Sequence, residues 1–134
     1  MKKYFFIGAA LIALGFGAIS ARESSMNAET NAQQPTRVSL VQLIANPQEY
    51  DGKFVRVIGF VSVEFEGTAV YLHQEDYKYE ITQNALWLEI DFQRNKKLDQ
   101  RYALIEGTFD ANHNGHRGLF SGSIKDIKRL QIWP

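Results

Sequence analysis

One segment, residues 38–65, constrains the fold of this chain more than any other. It contains a predicted long strand from Phe54 to Phe65. Side chains at every second position of a strand share a face, and one face of this strand consists of Val55, Val57, Gly59, Val61 and Val63. The other face also carries apolar groups, and glycine near the midpoint permits a sharp bend. The segment therefore predicts a small curved sheet that closes into a barrel, with its outer face partly covered by a helix or a loop.

A short capped helix precedes this strand. Ser39 and Gln42 stand in the spacing of a capping box, in which each side chain accepts a hydrogen bond from the other residue's backbone N–H. Apolar residues then recur on one helical face, and Pro47 ends the pattern because the residue before proline avoids helical angles. Asp51-Gly52 supplies a turn directly before the strand.

Four further segments complete the predicted fold. Alternating apolar residues predict strands over 69–73, 86–91 and 101–110, and one interrupted or two short strands over 119–133. Helical turns are expected between Gln74 and Asn84, lying across a barrel opening. The order favours an all-β fold with short helices, namely a five-stranded barrel like that of oligonucleotide/oligosaccharide-binding (OB) domains. An open α+β sheet is the rival fold.

The N-terminal region has the pattern of an export signal. Lys2 and Lys3 precede an uncharged apolar stretch, and residues 18–20 offer the small side chains that a signal peptidase needs. We predict a signal peptide over residues 1–20, a flexible polar spacer over 21–37 and the barrel domain over 38–134. The expected location is the periplasm or outside the cell. An uncleaved membrane anchor is the alternative.

Charge and cysteine content narrow the function classes. The chain has 15 basic and 15 acidic residues and no cysteine. Proteins that follow a phosphate backbone usually carry a clear cationic excess, so nucleic acid is disfavoured as a partner. Without disulfides, stability must come from apolar burial.

Four segments carry a resemblance: LIANPQEYDGKFVRVIGF, FEGTAVYLHQEDY, NALWLEI and LIEGTFDANHNGHRGLFSGSIKDI. Together they resemble uncharacterised small exported bacterial proteins with an OB-like domain, over nearly the whole of residues 38–130. The resemblance implies a fold and a compartment. It implies no activity, so no catalytic residue is transferred from it.

The loop over residues 111–118 holds His113, His116 and Arg117. Two imidazoles near Asp110 could ligate a transition metal. The alternative is a solvated glycine- and asparagine-rich loop, since no rigid frame or fourth donor is evident. We therefore predict neither a metal nor another cofactor, and keep the loop as a candidate ligand contact.

Aromatic side chains gather in the middle of the domain and could stack on a ligand or pack internally. Tyr71 and His73 should share one strand face, and Trp87 should lie outside the barrel, under the helix that is expected over Asp76 to Asn84. Together with the loop, the candidate ligand-binding residues are Arg56, Tyr71, His73, Tyr77, Trp87, His113, His116 and Arg117.

The sequence predicts a binding or interaction module and no enzyme. His73 and nearby carboxylates lie in one polar segment, whereas catalysis needs convergent groups with shifted pKa values in a cleft. A protein, peptide or glycan ligand fits the near-neutral charge. Single-stranded nucleic-acid binding is an alternative that rests on fold analogy, and a metal-dependent hydrolase or nuclease is a further one.

Overall fold

The computed structural model describes residues 33–134. The predicted signal peptide and the predicted spacer up to residue 32 lie outside these residues. The last two residues of that spacer, Thr36 and Arg37, form a strand, so regular structure begins just before residue 38. The strands are β1 (Thr36–Arg37), β2 (Phe54–Ser62), β3 (Ala69–Tyr71), β4 (Ala85–Leu88), β5 (Arg101–Asp110) and β6 (Ser123–Ile132), and the helices are α1 (Leu40–Ala45), α2 (Pro47–Tyr50) and α3 (Gln74–Lys78).

Five of these strands close into a barrel. The order around it is β2, β3, β4, β6 and β5, and β5 pairs back onto β2. β4 and β6 are parallel, whereas the other neighbours in the ring are antiparallel. β1 adds a short parallel pairing to the start of β2. The prediction of an all-β fold with short helices is confirmed, and the open-sheet alternative is wrong because β2 has a ring partner on each side.

The barrel interior is filled by the alternating side chains that the sequence indicates. The valines of β2 at positions 55, 57 and 61 are at most 1 % exposed. Leucine, isoleucine and phenylalanine side chains from β4, β5 and β6 complete the same cluster. Burial of this kind stabilises by roughly 25 cal/mol per Å² of apolar surface removed from water.

Helix α1 packs against this core. Its capping box is formed as predicted: Ser39 N–H donates to Gln42 Oε1 at 3.0 Å, and Gln42 N–H donates to Ser39 Oγ at 3.2 Å. Leu40 and Leu43 of α1 are buried in the core. α1 ends before Pro47, which occupies the first turn of α2.

A second, smaller cluster covers the outer face of β3 and β4. Tyr77 of α3 packs on Tyr71 and Phe60 with ring centroids 5.6 and 5.7 Å apart, respectively. Phe120, from the loop before β6, packs on Trp87 at 5.6 Å. The protein's own side chains therefore occupy much of the outer face of β3 and β4.

Several predicted element bounds differ from those observed. β2 ends at Ser62, β3 at Tyr71 and β4 at Leu88, each earlier than the alternation indicates. The expected helix over 76–84 is the shorter α3 followed by a 3₁₀ turn over Thr82–Asn84. The interrupted last strand is one strand, β6, whose register against β5 shifts opposite residues 106–108, where Asp126 has a φ of 49°.

Candidate binding cleft between two hairpin loops

A cleft of about 390 Å³ opens between the β2–β3 loop and the β5–β6 loop, above β4. We call it the hairpin cleft and define it by Glu64 and Glu66 from the first loop, Trp87 of β4, Phe92 beyond it, and His113 and His116 from the second loop. Surface loops that a rigid scaffold positions often carry binding residues.

The β5–β6 loop is held against Trp87 by close backbone packing. Gly115 has a φ of +65°, and a Cβ added there would lie 2.8 Å from Trp87. Asn114 Nδ2 donates to the Phe120 carbonyl at 2.7 Å, which closes the loop. Trp87 is half-buried under this loop. The expectation that α3 covers Trp87 is therefore wrong: the covering segment comes from the β5–β6 loop.

Each histidine of this loop faces a glutamate from a different segment. His113 Nδ1 lies 3.4 Å from Glu89 Oε1, and His116 Nε2 lies 3.7 Å from Glu66 Oε2. His113 therefore connects the loop to the segment after β4, and His116 connects it to the β2–β3 loop. The lining of the hairpin cleft thus includes two carboxylates, Glu64 and Glu66, and two imidazoles, His113 and His116.

Glu64 is anchored on the side of the cleft next to the outer aromatic cluster. Its Oε1 accepts hydrogen bonds from Ser62 Oγ and from the Tyr77 hydroxyl, both at 2.9 Å. The hydrogen bond to Glu64 raises the pKa of Tyr77, because it favours the protonated phenol. Burial, with the Glu64 charge as the next cause, raises the pKa of Tyr71 to about 12. The Glu64 carboxyl group is therefore held in place by two hydrogen bonds.

Ser123, His113 and Glu89 form an apparent triad that geometry excludes. Ser123 Oγ lies 3.2 Å from His113 Nδ1, the same nitrogen that faces Glu89. In a working triad, one ring nitrogen of the histidine contacts the carboxylate and the other contacts the nucleophile's hydroxyl, from which it takes the proton. Ser123 is also fully buried, so no substrate reaches its hydroxyl.

A second histidine–carboxylate pair lies outside the cleft. His73 Nδ1 is 3.4 Å from Asp76 Oδ2, and Asn84 Nδ2 donates to Asp76 Oδ1 at 2.9 Å. Asp76 is 3 % exposed, whereas more than half of the His73 side chain is exposed. Asp76 thus fixes α3 to the following 3₁₀ turn, and His73 lies at the edge of that contact.

The predicted metal alternative finds no ligand set in the described part of the chain. Asp110 turns to Lys125, whose Nζ lies 2.7 Å from Asp110 Oδ2. This contact holds the pKa of Asp110 below its ordinary value. Within residues 33–134, no three histidine or carboxylate side chains are grouped so that they could hold a metal ion.

The eight candidate ligand-binding residues fall into five places. Trp87, His113 and His116 meet in the hairpin cleft. Tyr71 and Tyr77 belong to the packed outer cluster, and Tyr71 is only 6 % exposed. His73 adjoins α3, and Arg117 is exposed in the β5–β6 loop, with a φ of 57°. Arg56 lies on the outer face of β2 in a different pocket.

The acidic part of the cleft was not predicted from the sequence. Glu64 and Glu66 alternate with Phe65, which is ordinary strand patterning. The available signal was the position of Glu64 and Glu66 beside a predicted hairpin turn, because surface loops often carry binding residues.

Comparison with models of known protein families finds no match, and comparison with curated proteins finds no significant similarity either. Within residues 33–134, none of the helices has the length and apolar character needed to cross a membrane.

Proposed function

We propose that this protein is an exported, non-catalytic binding module whose hairpin cleft takes a peptide segment of a partner protein. The observation that carries the proposal is the combination of an aromatic floor with carboxylates at the cleft walls. Trp87 and Phe92 supply apolar surface, and Glu64 and Glu66 supply negative charge. Such a cleft suits a lysine or arginine side chain next to an apolar residue, because the cation pairs with carboxylate while its neighbour covers the rings.

The same charges disfavour nucleic acid. A phosphate backbone would approach Glu64 and Glu66, and like charges repel at this range. Aromatic stacking platforms on which successive bases lie are also missing from β3, whose Tyr71 is buried by α3. A peptide avoids both difficulties because it can present a cation.

A glycan is the second candidate. Trp87 lies beside carboxylates and imidazoles, and sugars use an apolar ring together with hydrogen-bonding groups. OB barrels bind oligosaccharides as well as oligonucleotides. The two ligands differ in charge, so one pair of variants separates them.

The test uses the full chain with Trp133→Phe, which leaves Trp87 as the remaining tryptophan of the two. Its fluorescence is followed during titration with the capped dipeptide acetyl-Lys-Phe-amide and with acetyl-Gln-Phe-amide. We expect saturable binding of the lysine peptide and weaker binding of the glutamine peptide. Glu66→Gln should weaken the lysine peptide about tenfold, since a hydrogen bond to a charged group contributes about 1.5–3 kcal/mol.

Glu75→Gln is the matched control, because Glu75 is exposed on α3, 3.9 Å from Lys78, and is not a cleft residue. Equal binding of the two dipeptides, or an unchanged affinity in Glu66→Gln, would refute the peptide proposal. Binding of chitotriose that changes the Trp87 fluorescence and has the same affinity in Glu66→Gln would favour the glycan. Turnover of any substrate with added Mg²⁺ or Zn²⁺ would contradict the non-catalytic assignment.

A further inference from the structure

A row of four charged side chains crosses the outer face of the barrel, away from the hairpin cleft. Arg37 of β1 is in register with Arg56 of β2, Arg56 with Glu106 of β5, and Glu106 with Arg129 of β6. Directly opposed residues on neighbouring strands have their side chains on the same side of the sheet. The row therefore carries three positive charges and one negative charge across four adjacent strands.

Glu106 neutralises one end of this row. Its Oε1 lies 2.6 Å from Arg56 Nη2 and 2.7 Å from Arg56 Nε, and Arg129 Nη1 is 3.5 Å away on the other side. The Glu106 side chain is only 11 % exposed. One carboxylate thus bridges two guanidinium groups, and hydrogen bonds between such oppositely charged groups are stronger than those between neutral groups.

The other end of the row lacks such a bridge. No carboxylate of residues 33–134 forms an ion pair with Arg37, although Arg37 is directly opposite Arg56. Like charges that face each other across strands are destabilising. A second carboxylate between Arg37 and Arg56 would continue the alternation that Glu106 begins between Arg56 and Arg129.

A pocket of about 640 Å³ accompanies these arginines. Besides Arg37, Arg56 and Arg129, its walls include the apolar residues Ile58, Leu104 and Trp133. Ile58 is 41 % exposed and Trp133 is 45 % exposed, so apolar surface stands open next to the cations. A ligand that fits must combine an anion with an apolar group.

We propose that this pocket binds an acidic peptide segment of a partner, in which a carboxylate lies between Arg37 and Arg56 and a neighbouring large apolar side chain packs on Ile58 and Trp133. Charge complementarity selects the occupant: guanidinium groups match carboxylates in geometry and can bind them through paired hydrogen bonds. This site is separate from the hairpin cleft and stands whether or not the cleft binds a peptide.

The test is an NMR titration of the full chain that follows the arginine Nε–H signals and the Trp133 indole N–H. The probes are acetyl-Asp-Phe-amide, its neutral analogue acetyl-Asn-Phe-amide, and acetyl-phenylalanine, whose carboxylate is a chain terminus. We expect the Arg37, Arg56 and Trp133 signals to shift and saturate with one or both carboxylates, and the preferred probe distinguishes a side-chain from a terminal anion. The neutral analogue should produce no saturating shift.

Arg37→Gln should weaken the preferred probe about tenfold, the factor for losing one charge-assisted contact. Arg37 is an exposed residue of a two-residue strand, so folding is expected to survive. The control is Arg94→Gln, since Arg94 is exposed in another pocket, 3.5 Å from Asp91. Equal shifts with the neutral analogue, or unchanged affinity in Arg37→Gln, would overturn the proposal. Tighter probe binding after Glu23→Gln and Glu29→Gln would also overturn it, by assigning the site to the chain's own N-terminal segment.

Discussion

Gly59, at the middle of β2, offers the sharpest test of how the barrel closes. A Cβ added there would lie 2.5 Å from Val70 Cγ2, 2.6 Å from Leu40 Cδ1 and 2.7 Å from the Tyr71 carbonyl oxygen. Two of these atoms are ends of side chains in a filled core, and the third belongs to the backbone of β3. Since β2 and β3 pair from Phe60 onward, relief requires the two strands to separate.

The expected cost of Gly59→Ala follows from these contacts. Overpacking a filled core costs about 1–3 kcal/mol, and a weakened hydrogen bond between β2 and β3 adds about 0.5–1.5 kcal/mol. Replacing glycine also restricts the unfolded chain, which stabilises the folded state by about 0.4–1 kcal/mol. The free energy of unfolding should therefore fall by about 0.5–4 kcal/mol, centred on about 2 kcal/mol, out of the roughly 5–15 kcal/mol that such a domain possesses.

Urea unfolding followed by circular dichroism and by tryptophan fluorescence measures this change. Gly67→Ala is the matched control, because its Cβ would meet only the Glu64 side chain at 3.3 Å or beyond, and the backbone oxygen of Phe65 at 3.9 Å. It should alter the free energy of unfolding by no more than about 0.5 kcal/mol. A loss in Gly59→Ala no larger than that in Gly67→Ala would refute the view that close approach of β2, β3 and α1 requires glycine.

Two further predictions concern Tyr71 and Gly115. Burial raises the pKa of Tyr71 to about 12 in the folded protein, so the folded state keeps the phenol proton at pH values where the unfolded chain loses it. The contribution of Tyr71 to the free energy of unfolding is therefore fully present below about pH 10. It is lost by about 1.4 kcal/mol per pH unit as the pH rises towards 12. Tyr71→Phe should therefore flatten the alkaline fall of the unfolding free energy, and an equally steep fall in both proteins would contradict this. Gly115→Ala should lift the β5–β6 loop from Trp87, because its φ is +65° and the new Cβ would lie 2.8 Å from the ring. The emission of Trp87 in the Trp133→Phe background should shift to the red, and an unchanged spectrum would show that the loop does not cover it.

Local patterns predict the parts of the fold that depend on local chemistry. β5 extends from Arg101 to Asp110 as the alternation indicates, because it pairs along most of its length with both β2 and β6. The capping box of Ser39 and Gln42 needs only residues of one helical turn, and it is formed. The capping box has its whole cause in the local sequence, whereas the full length of β5 also depends on its two partner strands.

Strand ends depend on partners that are distant in sequence. The alternating pattern of β4 continues to Asp91, but its partner β3 has only three residues, and β6 pairs with β4 only at Ser123 and Ile124. β4 therefore ends at Leu88. The local residue pattern of a strand cannot predict where its neighbouring strand ends.

The hairpin cleft shows the same limit for a site. His113 and His116 are only three residues apart and suggest one shared role, yet they face Glu89 and Glu66 on different elements. Barrel closure, rather than spacing, selects these partners. Conversely, Tyr71 and Trp87 stand in plausible positions for stacking, but α3 and Phe120 pack on them.

Net charge conceals the arrangement that bears most on partners. Equal numbers of acidic and basic residues argue against a polyanion only if the charges are mixed evenly, and here they are separated. Glu64 and Glu66 line the hairpin cleft, whereas Arg37, Arg56 and Arg129 gather on the outer face of β1, β2 and β6. A polyanion would be attracted to the arginines but repelled by the carboxylates of the cleft. A nucleic acid that contacted both surfaces would therefore be attracted by one and repelled by the other. A protein partner presents both signs of charge, and its acidic and basic segments can each meet the matching surface. The separation of the two charge signs therefore favours a protein partner, and the net charge alone does not reveal this separation.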